Sequence, residues 1–205
     1  MGKVFVDVGV SLDGYIAGPN RGAHNPLGDG GAGIHRWVFE TQSFRQRLGL
    51  AGGANSPDDV LVNELFEGTG AYIMGRRMFD EGEGSWPEDP PFRACVFVLT
   101  HTARAAWPRK GGTTFFFVTE GISSALERAK RAAGHKDVRI SGGAETVREF
   151  VAAGLVDEIT LHLAPVLLGS GVRLFDHLGP GELKLEQVGV TSSALVTHLH
   201  YRVLR

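Results

Sequence analysis

Strand patterns and helix patterns alternate along this chain, which restricts it to a small set of folds. Alternating valines predict a first strand over Lys3–Val10. Apolar residues recur with helical spacing over 122–133, and a short strand at Val138–Ser141 precedes a second helix. Such alternation predicts an α/β domain with a largely parallel sheet. The adjacent strand patterns at Lys184–Val190 and Ala194–Val203 predict a C-terminal antiparallel hairpin.

The remaining patterns fit a single domain over residues 1–205. A long segment at about 18–68 combines a glycine-rich loop with helical stretches, and loops of this length are commonly binding loops or lids. Helices are predicted at Ile34–Leu48 and Asp58–Phe66. Further strands are predicted at Ala71–Met74, Ala94–Thr100, Thr114–Val118 and Val156–Leu163.

Composition excludes several classes of function. The formal net charge is -2 and the basic residues are scattered, so the positive field that attracts nucleic acid is absent. Cys95 is the only cysteine, which excludes an intramolecular disulfide and a zinc site built on several thiolates. The first strand lacks the long apolar stretch of a signal peptide or membrane span. We therefore expect a cytoplasmic protein with no metal, nucleic-acid or membrane partner.

Ser141, Gly142 and Gly143 link a predicted strand to a predicted helix. A helix start carries about half a positive charge and unpaired amides, which can hold a phosphate when no side chain obstructs it. The hydroxyls of Ser141 and Thr146 would add donors. The alternative interpretation is that the glycines only form a tight turn.

Gly75, Arg76 and Arg77 form a second junction after the strand Ala71–Met74. Arginine suits phosphate because its planar guanidinium binds two oxygens at once. The alternative is a solvated helix start with ordinary surface arginines. Two such junctions on one sheet would supply the separated phosphate sites that a dinucleotide requires.

Three further signals are weaker. A G-x-G-x-x-G pattern at 28–33 follows no strand directly, and we interpret it as a flexible loop. His198 and His200 share one face of the last strand, which we interpret as an exposed polar face rather than a metal site. Asp13 follows the first strand, where its carboxylate could orient a substrate or relay a proton, or simply form a turn.

Taken in order, these segments resemble the dihydrofolate-reductase-like family, which includes the reductase domain of the bacterial riboflavin-biosynthesis deaminase-reductase. The resemblance covers nearly the whole chain. It rests on Ser11–Gly18, Met74–Arg77, Val98–Thr100, Ser141–Thr146, Val156–Glu158, Pro165–Gly171 and Leu174–Phe175. It implies a three-layer fold with a mixed, mostly parallel sheet between helices, NADPH as hydride donor, a small-molecule substrate and a homodimer.

The resemblance also implies which residues bind the cofactor. They are Ile16, Ala17, Gly75, Arg76, Arg77, Thr100, Arg104, Ser141, Gly142, Gly143, Ala144, Glu145 and Thr146. Within this set, Ile16 and Ala17 would flank the nicotinamide. Thr100 and the segment 101–104 would approach the adenosine 2′-phosphate.

On the substrate side, the resemblance makes Asp13 a candidate catalytic residue that orders the active-site loop or the substrate. Trp37 would pack on the substrate, and Glu40 would bind it from the next helical turn. The implied activity is NADPH-dependent reduction of a small C=N or C=O group in a pterin-like or ribosylaminopyrimidine-like compound. The alternative is a non-catalytic nucleotide-binding or dimeric module on the same scaffold, which Met78 favours because dihydrofolate reductases usually carry threonine there.

Overall fold

The computed structural model of the protein describes residues 2–176, 178–179 and 183–204. Its strands are β1 (Val4–Ser11), β2 (Tyr15–Ala17), β3 (Thr69–Gly75), β4 (Cys95–Leu99), β5 (Trp107–Pro108), β6 (Thr114–Val118), β7 (Asp137–Gly142), β8 (Glu158–Ala164), β9 (Val172–Arg173), β10 (Lys184–Ser192) and β11 (Thr197–Leu204). Its helices are α1 (Arg36–Phe39), α2 (Gln42–Arg47), α3 (Pro57–Gly68), α4 (Arg76–Gly82), α5 (Gly121–Ala133) and α6 (Ala144–Ala152), with short 3-10 turns at Gly31–His35 and Lys110–Gly112.

Within the described residues, one nine-stranded sheet has the order β10-β11-β8-β1-β7-β3-β4-β6-β5. The central strands from β8 to β6 are parallel to one another, whereas β11 and β10 at one edge and β5 at the other are antiparallel. Strands β2 and β9 form a separate antiparallel pair. The mixed, mostly parallel sheet and the C-terminal hairpin are therefore confirmed.

Helices cover both faces of the sheet, because alternate side chains of each strand point to opposite sides. One face packs against α5 and α6 in a core that includes Val6, Ala129 and Phe150. The opposite face packs against α4 around Phe79 and against α1 and α3 around Trp37. The result is the helix, sheet and helix layering that the sequence predicts.

The parallel strands place their carboxyl ends along one edge of the sheet, which is where ligands bind in folds of this type. Gly142, Gly75 and Leu99 end the neighbouring strands β7, β3 and β4. Both glycine junctions therefore open at the same edge, side by side.

Two sequence predictions are wrong. A continuous helix over Ile34–Leu48 does not form, because Thr41 adopts an extended conformation and separates α1 from α2. His198 does not lie on an exposed face, since its exposed fraction is 4%. Helices α1 and α3 cover this part of β11, and the Trp37 ring lies 4.9 Å from the His198 ring.

Candidate active site

The start of α6 is the first component of the site. Gly143 precedes the helix, and no side chain of the described residues caps it. A Cβ added at Gly143 would meet no atom within 4 Å, so the helix start faces open space. Gly142 has a φ of 126°, a left-handed conformation that favours glycine, and the peptide joining the two glycines is cis. The local sequence therefore leaves room for a ligand at the helix start.

The second junction lies directly beside the first. A Cβ added at Gly75 would lie 2.5 Å from Oγ1 of Thr146, so only glycine lets the end of β3 approach the first turn of α6 this closely. Arg76 donates from Nη1 to Oγ1 of Thr100 at 3.4 Å, which links this junction to the end of β4. The structure thus brings together the predicted cofactor residues of three strands.

The three predicted arginines differ in their surroundings. Arg76 pairs at 2.7 Å with Asp80, which is exposed, whereas Arg77 is exposed but pairs at 3.0 Å with the buried Glu81. Arg104 instead pairs with Glu83 at 2.6 Å and lies over the rings of Phe79, Trp107 and Phe117. The contact with Thr100 makes Arg76 the arginine best placed beside the strand ends.

A cavity of about 340 Å³ opens between this sheet edge and the segments that carry α1 to α3. This volume lies in the range of small-molecule sites. Predicted residues among its lining are Ile16, Ala17, Trp37, Ser141, Gly142 and Gly143. Its lining also includes the aromatic residues Phe44, Phe66, Tyr72, Trp86 and Phe92. The cavity therefore joins the glycine pair to a largely apolar chamber.

Charged and imidazole groups form one wall of this cavity. Asp7 pairs through Oδ1 with Arg139 at 2.7 Å and through Oδ2 with Nε2 of His162 at 3.0 Å. Burial raises the pKa of Asp7, but the charge of Arg139 and the hydrogen bond to His162 outweigh burial and bring the pKa to about 2. Asp7 is therefore an ionised carboxylate at the wall of the chamber.

His35 faces the same wall from the 3-10 turn before α1 and lines the cavity. Burial, followed by the charges of His162 and Arg139, lowers the pKa of His35 to about 4. His35 is thus neutral near pH 7, with one ring nitrogen able to donate and the other able to accept a hydrogen bond.

Several buried polar atoms of the cavity wall have no hydrogen-bond partner among the described residues. They are Nε of Arg21, Nε1 of Trp37, Nε of Arg139 and Oγ of Ser141. Burying such an atom without a partner costs roughly 1–3 kcal/mol. This pattern is typical of a site in which a ligand supplies the missing partners.

Both predicted carboxylates on the substrate side, Asp13 and Glu40, lie outside the cavity lining. So do the predicted cofactor residues Gly75, Arg76, Arg77, Thr100, Arg104, Ala144, Glu145 and Thr146. Asp13 accepts hydrogen bonds from Ser11 Oγ at 2.6 Å and from the backbone of Gly169 at 2.7 Å. Its carboxylate therefore holds the loop after β8. Glu40 pairs with Arg36 at 2.8 Å on the exposed side of α1. Neither carboxylate points into the chamber.

Sequence reasoning missed Asp7, Arg139 and His162. A signal was available, because Asp7 and His162 are polar residues inside otherwise apolar strands, Val4–Val10 and Ile159–Ala164. Charged residues are almost never fully buried unless they are paired. Such a position in a strand covered on both faces therefore indicates a partner across the sheet.

A family model for the RibD C-terminal domain matches residues 2–199. The chain belongs to this RibD C-terminal domain family. Members related to it include the uncharacterized protein YwjB of Bacillus subtilis, which is 36% identical over 199 residues, or 97% of each chain.

Solved structures resemble this member of the RibD C-terminal domain family over its full length. A putative riboflavin biosynthesis protein from Shewanella sp. PV-4 superposes with a TM-score of 0.69 at 24% identity, covering 99% of both chains. Dihydrofolate reductase from Enterococcus faecalis, complexed with NADP(H) and RAB-propyl, gives 0.56 at 11% identity, covering 100% of this chain and 98% of that chain. The dihydrofolate-reductase-like fold is thereby confirmed, and oxidoreductases share it. In the described part of the chain, each helix is too short or too polar to cross a bilayer.

Proposed function

We propose that this protein is an NADPH-dependent reductase of a small C=N or C=O compound, pterin-like or ribosylaminopyrimidine-like. One observation carries the proposal: Gly142 and Gly143 open into the same cavity as Asp7, Arg139 and His162. A dinucleotide held at the glycine pair would therefore end beside a wall that can bind and protonate a substrate.

The residues present fit a dinucleotide. Open space at Gly143 and the uncapped start of α6 suit the pyrophosphate, and the buried Oγ of Ser141 has no hydrogen-bond partner in the described part of the chain. Arg76 beside Thr100 suits the adenosine 2′-phosphate. Ile16 and Ala17, which line the cavity, would flank the nicotinamide. When bound, this group supplies the hydride.

The part of the cavity beyond the glycine pair, where the substrate is proposed to bind, favours a flat, uncharged ring system. Its walls are aromatic, and its cationic groups already have anionic partners, since Arg139 pairs with Asp7 and Arg21 lies 3.5 Å from Glu81. Trp37 offers a buried Nε1 that has no hydrogen-bond partner among the described residues. The chamber can hold such a ring and exclude water, and accurate alignment lowers a barrier by up to roughly 7–11 kcal/mol.

The proposal is tested by mixing the protein with NADPH and dihydrofolate, a ribosylaminopyrimidine phosphate or menadione, which represent pterin, pyrimidine and carbonyl compounds. We expect the nicotinamide absorbance to fall with at least one compound. Tight NADPH binding without oxidation across a wider panel of the same classes would instead support the non-catalytic module.

Arg76→Gln tests the assignment of the 2′-phosphate. Loss of a charge-assisted hydrogen bond costs about 1.5–3 kcal/mol, so the Kd for NADPH should rise about tenfold or more. The Kd for NADH, which lacks this phosphate, should not change. Arg131→Gln is the matched control, because Arg131 also pairs with a carboxylate one helical turn away, that of Glu127, and lies outside the cavity lining and the predicted cofactor residues. Equal effects of Arg76→Gln on both nucleotides would contradict the assignment.

We also propose that the enzyme is a cytoplasmic homodimer. Apolar side chains on the outer strands β10 and β11 are exposed, with fractions of 43% for Leu185, 49% for Val190 and 45% for Leu204. A second copy would cover this surface. Light scattering should give twice the 22.0 kDa of one chain, and Val190→Glu should give single chains. A monomeric natural protein at micromolar concentration would contradict the dimer.

A further inference from the structure

A chain of buried hydrogen bonds leads from Asp7 into the protein beneath α1 and α3. Oδ2 of Asp7 lies 3.0 Å from Nε2 of His162, and Nδ1 of His162 lies 2.7 Å from Nδ1 of His198. Nε2 of His198 lies 3.2 Å from Oδ1 of Asp58. The four residues are 2–6% exposed. The Trp37 ring packs on both imidazoles, at 4.6 and 4.9 Å between ring centroids.

The number of protons held by these four hydrogen-bonded side chains follows from their geometry. Each of the three contacts needs one hydrogen between its two heavy atoms. Two ionised carboxylates and two neutral imidazoles hold only two hydrogens, which leaves one contact with facing lone pairs. Three hydrogens satisfy every contact. The pair of His162 and His198 must therefore hold one proton more than two neutral rings, or share that proton with Asp58.

The surrounding charges support this extra proton. The groups that face the two imidazoles are Asp7 from β1, Arg139 from β7, His35 from the 3-10 turn and Asp58 from α3. His35 is neutral near pH 7 because its pKa is about 4. Two carboxylates, one guanidinium and one extra proton give a net charge of zero, which a buried cluster favours.

The imidazole pair lies between two cavities. Asp7 and His162 line the chamber described above. Asp7 and His198 line a second cavity of about 340 Å³ on the other side of α3, where Leu61 and Thr160 also lie. A proton lost towards the first cavity can therefore be replaced by water in the second.

We propose that the His162 and His198 pair stores the proton that the reduction consumes and delivers it through Asp7. This inference rests on the proposed function. When bound, reduced nicotinamide would supply the hydride for the carbon of C=O or C=N. The Asp7 carboxylate receives the Nε2 proton of His162 and passes it to the substrate oxygen or nitrogen, so that Asp7 ends ionised as it began. At the same time the Nδ1 proton of His198 moves to Nδ1 of His162, which leaves two neutral imidazoles. Water then returns one proton to the neutral pair, which restores the starting state.

Asp7 and His162 are thus the catalytic residues of this step, because they face the substrate region. His198 and Asp58 are positioning residues that act through His162. Burial, followed by the charge of His162, lowers the pKa of His198 below its usual range, while Asp58 opposes this change. Because the protonated pair is the active form, the rate of hydride transfer should decrease as the pH rises and the pair loses its extra proton.

The proton count is tested directly by ¹⁵N NMR of the full chain without ligand, with signals assigned through His162→Gln and His198→Gln. At about pH 6, three of the four ring nitrogens should be protonated, because the three contacts need three hydrogens. A low-field signal should mark the proton between the two Nδ1 atoms. Only two protonated nitrogens, with Asp58 ionised, would overturn the proposal.

The catalytic role is tested by single-turnover reduction with NADPH and whichever of dihydrofolate, the ribosylaminopyrimidine phosphate and menadione is reduced. His162→Gln should slow hydride transfer on the order of 100-fold or more and remove its decrease at high pH, with the Kd for NADPH unchanged. His198→Gln should shift or remove the same pH dependence.

His200→Gln is the matched control. His200 lies on β11, as His198 does, but it pairs with Glu158 at 3.0 Å and takes no part in the hydrogen bonds from Asp7 to Asp58. If His162→Gln and His198→Gln show the same rate and pH profile as His200→Gln, the proposal that the imidazole pair stores a proton is wrong. The proposed reductase function is not contradicted by that result. If the natural protein binds no NADPH, the proposed function fails, and the NMR count still decides whether the pair holds the extra proton.

Discussion

Gly143→Val should raise the Kd for NADPH about 100-fold, which corresponds to about 2.7 kcal/mol. The new side chain would occupy the open space at the start of α6, where the pyrophosphate is proposed to bind. It would separate the phosphates from the helix amides and remove charge-assisted hydrogen bonds worth about 1.5–3 kcal/mol each. Fluorescence titration with NADPH measures the change.

The same substitution should leave the fold intact, because an added Cβ meets no atom within 4 Å. Gly84→Val is the matched control, since Gly84 also has open space around it and lies outside the cavity lining. Both variants should unfold near the temperature of the natural protein, and only Gly143→Val should lose affinity. Normal NADPH affinity in Gly143→Val would contradict the cofactor site.

Asp7→Asn should lower the free energy of unfolding by about 3 kcal/mol, even without any ligand. Removing one partner of a buried ion pair leaves the other charge uncompensated, which typically costs about 3–5 kcal/mol. Here Arg139 and the imidazole pair would both lose their anion. Denaturant unfolding of the two proteins near pH 7 measures the difference.

Glu40→Gln is the control for Asp7→Asn, because the pair of Glu40 and Arg36 lies on the surface and contributes at most about 1 kcal/mol. The pH dependence gives a second test. The pKa of Asp7 falls from 3.8 to about 2 on folding, so its contribution of about 2 kcal/mol is complete above pH 4 and lost towards pH 2. The stability difference between natural protein and Asp7→Asn should narrow over this range, and a constant difference would contradict the ion pair.

The parts of the fold that could be predicted are those with local signals. Glycines mark the junctions at 75 and 142–143, and period-two patterns mark the hairpin of β10 and β11. These signals depend only on backbone conformation and on which face of an element is apolar. The parallel sheet then aligns the strand ends, so the proximity of Gly75 to Thr146 follows from topology.

The parts that could not be predicted depend on distant packing. His162 lies 155 positions from Asp7 and 36 from His198, and Asp58 lies 140 positions from His198. These residues meet because β8 pairs with both β1 and β11 and because α3 covers that face. The period-two pattern of β11 predicted an exposed His198, because the local sequence carries no information about the helices that cover this face. Arg104 similarly gave no local sign of its contact with Glu83.

Titration of the natural protein with NADPH and, separately, with NADH tests the central claim most directly. We expect one NADPH per chain, bound at least about tenfold more tightly than NADH, because Arg76 and Thr100 lie where the 2′-phosphate is proposed to bind. Absence of binding by either nucleotide at millimolar concentration would contradict the claim that the glycine pair and its cavity form a dinucleotide site.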